Sequence, residues 1–372
     1  MTAPILVVAG EPSGDAAAAR VVRRLDVATF GMGGVALAAA GTDLLIRSDR
    51  TAALGITEVW GKLPRLLSAR RELVRGARRR GSKRALLVNY SEFNSSLLSP
   101  LAAEGATTIF YGPPQVWAWR PERAKRIAAE VGHVAAVLPL EVEVWQQAGA
   151  RVSYVGHPAL DAPIATRPEA LSKLELTRSL PVAILPGSRT AEVRAHLETM
   201  LSGLRTVGLR GEEARVFVAA GLPAETQRWV VTTAEAFGVE PIFVNESSHL
   251  TGCLAAFDVA MVASGTASLE VALSGVVPII AYKTSPLTSA IARRLLRVSQ
   301  VGLPNIVLGR AVFPELLQEH FTSENLARTL ESELDGLHSP TSRRKEAFEE
   351  LTSSVAVKNR PCEAVAALLS AA

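Results

Sequence analysis

Two α/β domains built on parallel sheets, facing each other across a cleft, are what this sequence of 372 residues predicts. Three observations carry that expectation. Short apolar runs recur, each followed by a Gly/Ser turn and a helix-period pattern, as in strand–loop–helix units that cross over into a parallel sheet. Two such units, Pro181–Glu192 and Phe257–Glu270, share one chemical device at the turn. Between the halves, Gly156-His-Pro-Ala-Leu-Asp161 with Pro163 and Pro168 changes the composition and reads as a linker.

The first sheet is expected from runs at 4–9, 84–88, 107–111, 134–138 and 152–155. The second is expected from runs at 182–185, 215–219, 241–244, 258–262 and 277–281. The domains therefore divide as 1–162 and 168–342. Gly31-Met-Gly-Gly34 matches a dinucleotide fingerprint only in part and is not read as one.

In the Phe257–Glu270 unit, Asp258–Ala263 reads as a buried strand, and Ser264, Gly265 and Thr266 turn the chain into a helix. Hydroxyls and unpaired N–H groups at a helix start, with its dipole, favour phosphate. Glu270 lies one turn further on, placed for ribose hydroxyls. A capped strand-to-helix turn alone has the same pattern; the second copy changes the balance. There Gly187 lets a backbone approach a ligand, Ser188 follows, and Arg189 presents a planar fork suited to phosphate. The pair outlines a nucleotide-diphosphate site at one sheet edge.

Hydrophobic residues make up 48% and charged residues 20%, the balance of a globular protein. No apolar run approaches the ~20 residues of a membrane span. No basic lead and cleavage site precede Pro4–Ala9, and the two cysteines, Cys253 and Cys362, suit neither a disulfide framework nor a zinc site. The expected compartment is the cytoplasm, and no cofactor or metal is expected: Asp-x-Asp, a Walker motif and His/Cys clusters are lacking. A leaving diphosphate would then be stabilised by arginine and helix dipoles.

The net charge of +4 is unevenly placed. Lys62 to Arg84 holds ten Lys or Arg and one acidic residue, Glu72. Leu66, Leu67, Leu73, Val74 and Ala77 fall near one helical stripe, with Arg65, Arg71, Arg75, Arg78 and Arg79 on other faces. Beside apolar Ala52–Trp60, this reads as a membrane-surface element or as a solvated helix face. Nucleic-acid binding is the alternative use, disfavoured by the lack of interleaved aromatics. Of Trp117 and Trp119, in a Pro-rich loop, one is expected to be structural and the other to meet a sugar or acyl chain. A histidine in a linker, His157, is more often structural than catalytic.

The chain resembles the lipid-A-disaccharide synthase family. The resemblance rests on Ala9-Gly-Glu-Pro-Ser-Gly-Asp15, Leu54-Gly-Ile56, Val116-Trp-Ala-Trp-Arg120, Gly156-His-Pro158, Leu185-Pro-Gly-Ser-Arg189 with Glu192, Ser264-Gly-Thr-Ala267 with Glu270, and Leu303-Pro-Asn305, in family order. It implies a GT-B glycosyltransferase fold. It implies metal-free, inverting β-1,6 transfer of diacylated glucosamine from a UDP donor to a glycolipid acceptor, diacylated glucosamine 1-phosphate. The enzyme would be peripheral on the cytoplasmic face of the inner membrane. Arg189 and the 264–270 loop would hold UDP, and Asn305 would lie near the donor. The segment 343–372 would return to the first domain, its own or that of a second subunit in a homodimer.

One departure bears on chemistry. Where the family carries an aspartate suited to general-base work, this chain has Asn89, followed by Tyr90, Ser91 and Glu92. Gly112-Pro-Pro also replaces Ser-Pro-Ser. Asparagine takes no proton at neutral pH, so Glu92 is the expected base, with Asn89 positioning the hydroxyl and Glu11 and Asp15 next in line. A relative with lost or altered transfer is the alternative that Asn89 allows.

Overall fold

In the computed structural model, which describes residues 3–48, 59–244, 250–284, 300–337 and 342–372, every strand pairing is parallel. Contacts divide the chain into two units, 1–161 with 355–372, and 162–354.

The first unit's strands are β1 (Ile5–Ala9), β2 (Thr29–Gly33), β3 (Asp43–Arg47), β4 (Arg84–Val88), β5 (Thr107–Tyr111), β6 (His133–Ala136) and β7 (Val152–Tyr154), in the order β3-β2-β1-β4-β5-β6-β7. The second unit repeats the scheme with β8 (Leu180–Leu185), β9 (Ala214–Ala219), β10 (Glu240–Val244), β11 (Phe257–Ala263), β12 (Val277–Tyr282) and β13 (Glu315–Leu317), ordered β10-β9-β8-β11-β12-β13. Each sheet reverses direction between its first and fourth strands, the topological switch point where open α/β sheets bind ligands. Sidedness follows from strand periodicity: Leu6 and Val8 enter one core, and Ile5, Val7 and Ala9 the other.

Three strands that the apolar runs do not announce are β2, β3 and β13. The first is Thr-Phe-Gly-Met-Gly, whose glycines mask the pattern; its Gly31 packs against the Val7 backbone. The second is a largely half-exposed edge strand, and β13 has three residues.

The helices that bear on function are α1 (Pro12–Val22), α2 (Val35–Ala39), α3 (Val59–Arg79), α4 (Ser91–Ala103), α5 (Arg123–Glu130), α6 (Pro139–Gln147), α7 (Arg167–Lys173), α8 (Thr190–Thr206), α9 (Ala224–Ala236), α10 (Thr266–Leu273) and α11 (Leu303–Leu308). After α12 (Ser323–Leu337) come α13 (Ser342–Val355) and α14 (Pro361–Ala371). The return to the first unit begins at Val355, not at 343. The reason is packing: Arg344 pairs with Glu333, Arg310 with Glu350, and the Phe348 ring lies 5.4 Å from Phe313, so α13 stays with the second unit. α14 alone buries Cys362, Val365, Ala366 and Leu369 in the first unit's core.

α3 lays Ala69, Leu73 and Ala77 on the core and leaves Leu67 exposed. Arg65, Arg71, Arg75, Arg78 and Arg79 are exposed, and Arg78 pairs with Glu104. A shallow cavity of about 360 Å³ on this face is lined by Ser68, Arg71, Glu72, Arg75 and Arg79. The apolar Ala52–Glu58 stretch and the Leu54-Gly-Ile56 motif lie outside the described residues. Among the described residues, no helix is long and apolar enough to cross a membrane.

Candidate functional site

At the switch point of the second unit, β8 runs through Pro186 and Gly187 into α8. Gly187 has φ +129°, and a Cβ there would lie 2.7 Å from Glu192 Cβ, so only glycine fits beneath that side chain. Glu192 stands at the third position of α8 and reaches back to the backbone at the helix start. Its Oε2 accepts the backbone N–H groups of Ser188 (3.2 Å) and Arg189 (3.3 Å), and its Oε1 takes Arg189 Nη1 at 2.8 Å. The Arg189 side chain remains 57% exposed, which leaves guanidinium surface toward solvent.

On the neighbouring strand, β11 ends at Ser264. Its N–H donates to Ala281 O (3.0 Å) and its hydroxyl to Val301 O (3.0 Å). Gly265, exposed and with φ +148°, caps α10, and among the described residues nothing stands within 4 Å of where its Cβ would be. That open backbone admits a close approach at a helix start. Ser268 donates back to Gly265 O at 2.7 Å and steadies the turn. Thr266 begins α10, and Glu270, half-buried, follows one turn later. Gly187, Ser188, Arg189, Ser264, Gly265 and Thr266 thus follow the ends of adjacent strands, with Glu270 one turn into α10.

Asn305 is differently employed. It is fully buried; its Nδ2 donates to Phe313 O and Glu315 Oε1 (both 2.8 Å), and its Oδ1 accepts from Val312 and Phe313 N–H (both 2.9 Å). All four bonding positions of the amide are filled from within. Glu315 also takes the N–H groups of Val301 and Gly302. Asn305 therefore holds the turn ahead of β13 and has no group left for a donor.

In the first unit, the ends of β1, β4 and β5 lie side by side. Asn89 and Tyr90 are consecutive left-handed residues, with φ +48° and +45°. Asparagine tolerates that region and tyrosine does not, so this is strain of the kind that collects at functional sites. The surroundings hold it. The Tyr90 ring lies over Gly10, where a Cβ would come 2.2 Å from it, and 5.3 Å from the Phe93 ring. Buried Asn94 donates to Val88 O at 3.2 Å and Asn89 O at 2.8 Å. Glu11, half-buried at the start of α1, helps burial raise the Tyr90 hydroxyl above its ordinary value.

Glu92 is exposed and gripped by the nearly buried Arg123 in a two-pronged pair, with Nη1–Oε1 2.5 Å and Nη2–Oε2 3.0 Å. Asp15 is not a spare base. It is buried, and its carboxylate accepts N–H bonds from Gly34 (2.7 Å), Ala36 (2.9 Å) and Leu37 (3.3 Å), capping α2.

The tryptophans divide. Trp117 is half-buried and donates to Glu141 Oε1 at 3.5 Å, while Trp119 is exposed beside the Arg120 guanidinium, 6.0 Å from its ring. Glu141 is buried, and desolvation pushes its carboxyl up to about 7 against the pull of the Val137 and Leu138 N–H groups. His157 is structural: it is buried, burial lowers it to about 4, and its Nδ1 accepts from Ala159 N–H at 3.2 Å.

Sequence reasoning did not find Arg123, Glu141, His196 or Glu315. Arg123 sits in a basic segment, and His196 on an apolar helix face, with no motif to mark either. Pro139-Leu-Glu141 does fit the first turn of a helix, the one signal available.

The lipid-A-disaccharide synthetase family model matches residues 5–368. A lipid-A-disaccharide synthase of Myxococcus xanthus is 37% identical over 337 residues, covering 88% of this chain and 87% of that protein. One of Syntrophus aciditrophicus is 36% identical over 358 residues, covering 94% and 91%. Among solved structures, Acinetobacter baumannii MurG superposes with a TM-score of 0.54 at 12% identity, covering 99% of each chain. A UDP-GlcNAc 2-epimerase from Neisseria meningitidis superposes at 0.58 and 12%, covering 99% of this chain and 100% of that one. At such identities the structures share the fold alone, two parallel-sheet α/β domains of the GT-B type. The sequence relatives and the family model go further: the chain belongs to the lipid-A-disaccharide synthase family of glycosyltransferases.

Proposed function

We propose that the chain joins a UDP-linked acylated glucosamine to a glycolipid acceptor as a lipid-A-disaccharide synthase, with inversion at the anomeric carbon. The observation that carries the reading is the pair of loops at the neighbouring β8 and β11 ends, one carrying an exposed Arg189 and the other a glycine at the start of α10. In the reaction the acceptor hydroxyl oxygen bonds to the anomeric carbon as the bond to the UDP phosphate oxygen breaks. Arg189 and the α10 N-terminus stabilise the charge left on UDP. Glu92, oriented by Arg123, takes the hydroxyl proton, and Asn89 holds that hydroxyl by a hydrogen bond. Glu270 receives the ribose.

The test is incubation with UDP-2,3-diacylglucosamine and 2,3-diacylglucosamine 1-phosphate, reading UDP and disaccharide by mass spectrometry. Equimolar products support the reading; no disaccharide with intact UDP binding favours a relative with altered transfer.

For lipid substrates, Arg71, Arg75 and Arg79 on α3 suit an anionic bilayer such as the cytoplasmic face of the inner membrane, each contributing about 1 kcal/mol near such a surface. Replacing all three by Gln should reduce sedimentation with anionic liposomes; equal binding to neutral liposomes would count against it. Exchange of α14 between two subunits is a separate proposal, decided by light scattering.

A further inference from the structure

We propose that His196 is a positioning residue for nucleotide binding, tying the end of β8 to the end of β12 and thereby fixing the Gly187–Arg189 loop beside Ser264. The inference rests on the reading of this edge as the UDP half-site.

His196 is fully buried on α8. Its Nδ1 is 2.9 Å from Pro186 O, and its Nε2 is 3.0 Å from Lys283 N. A carbonyl can only accept and a backbone amide can only donate, so Nδ1 carries the hydrogen and Nε2 is bare. The Phe321 ring meets the imidazole edge-on at 5.5 Å, and Tyr282 lies at 6.0 Å. Burial holds the imidazole below its ordinary value, so the neutral ring that both bonds require persists near neutrality.

The two partners are far apart in sequence and close to the chemistry. Pro186 directly precedes Gly187, Ser188 and Arg189, and Lys283 directly follows β12. Between β8 and β12 runs β11, whose end carries Ser264, bonded in turn to Ala281 O. One side chain therefore spans three strand ends. Packing does not require a histidine: its neighbours on the buried face of α8 are Val193, Leu197, Met200 and Leu201. An apolar residue would fill the space but leave the carbonyl of buried Pro186 and the part-buried Lys283 N–H without these partners, loosening the loop after β8 and the end of β12.

Full-length wild type, His196→Gln and His196→Leu are compared by UDP titration calorimetry and by initial rates in each substrate. A glutamine amide supplies one donor and one acceptor and should hold UDP affinity within about twofold. Leucine should weaken UDP binding by about tenfold, as expected for losing buried hydrogen bonds, and raise the donor KM with the acceptor KM unchanged. Equal impairment of both variants, or wild-type affinity in the leucine variant, overturns the proposal. Should leucine prevent folding, nitrogen NMR of wild type decides: UDP should slow exchange of the Nδ1 hydrogen, and unchanged exchange overturns the role. Wild type that binds no UDP overturns the functional reading itself, and this inference with it.

Discussion

No side chain fits at Gly112 while Asn89 keeps its place: the position a Cβ would take lies 2.1 Å from Asn89 Oδ1. Gly112 has φ +66°, Asn89 φ +48°, and the Asn89 N–H donates to Tyr111 O at 2.9 Å. The two departures from the family resemblance, at 89 and 112, thus meet in one contact. Gly112→Ala should cost about 1–3 kcal/mol, since it adds both backbone strain and overlap. In an Asn89→Gly background the overlap disappears and part of that cost should return. A denaturation double-mutant cycle should give a coupling of at least ~0.5 kcal/mol; additive effects would mean that the contact does not govern the pair.

Glu92 gains orientation from Arg123, whose planar fork holds both carboxylate oxygens. One lone pair on each oxygen faces Arg123, and the side chain is otherwise exposed. Glu92→Gln should reduce turnover by roughly 10²–10⁴-fold with UDP affinity unchanged. Asn89→Asp, nearly isosteric, should be tolerated or faster. Full activity in Glu92→Gln would pass the role to Glu11, since the Asp15 carboxylate caps α2.

Most of the fold was legible because parallel strands buried on both faces are plain apolar runs. The loops after β1, β4, β8 and β11 were legible because Gly and Ser mark them. What the sequence could not show is which polar groups turn inward. Asn305 sits in a motif that looks like ligand chemistry, yet Phe313, Val312 and Glu315 consume it, contacts made only after α11 folds back. Asp15 follows the same logic, since its partners lie some twenty residues on, in a helix that the pattern did not announce. Arg123 reaches Glu92 across 31 residues, a pairing without a local signal.

Two buried groups of the first unit should set opposing pH dependences of stability. Glu141 rises from 4.5 to about 7 on folding, so the native state holds a proton that the unfolded chain has lost, and stability falls as pH climbs through that window. His157 drops from 6.5 to about 4, so the unfolded chain binds the extra proton, and stability rises with pH up to 6.5. Each effect is on the order of 3 kcal/mol, and they offset each other between about 4.5 and 6.5. Wild type should therefore show a shallow stability profile there. Glu141→Gln should expose the rise, and His157→Asn the fall. Denaturation midpoints from pH 4.5 to 7.5 check this; parallel profiles for all three proteins would rule it out.

Glu192 bears directly on the proposed UDP half-site, because its carboxylate already sits on the Ser188 and Arg189 N–H groups and on the Arg189 guanidinium. A diphosphate needs the same cation. Either Glu192 aims Arg189 while sharing it, or it is a placeholder that a bound nucleotide must turn aside. The contact with Gly187 favours the second, since Glu192 Oε2 lies 2.9 Å from where a Cβ would stand and so covers the backbone that a phosphate would approach. Two like charges about 4 Å apart in water repel by ~1 kcal/mol. Glu192→Gln should accordingly tighten UDP by about fivefold, while lowering stability by roughly 0.3–1 kcal/mol through loss of the helix-start charge. Arg189→Ala should act in the opposite sense, reducing turnover by about 10²–10³-fold as the leaving UDP loses its cation. Calorimetry on the two variants separates the roles: if Glu192→Gln weakens UDP as Arg189→Ala does, Glu192 is the arm that holds Arg189 to the nucleotide and the placeholder idea fails.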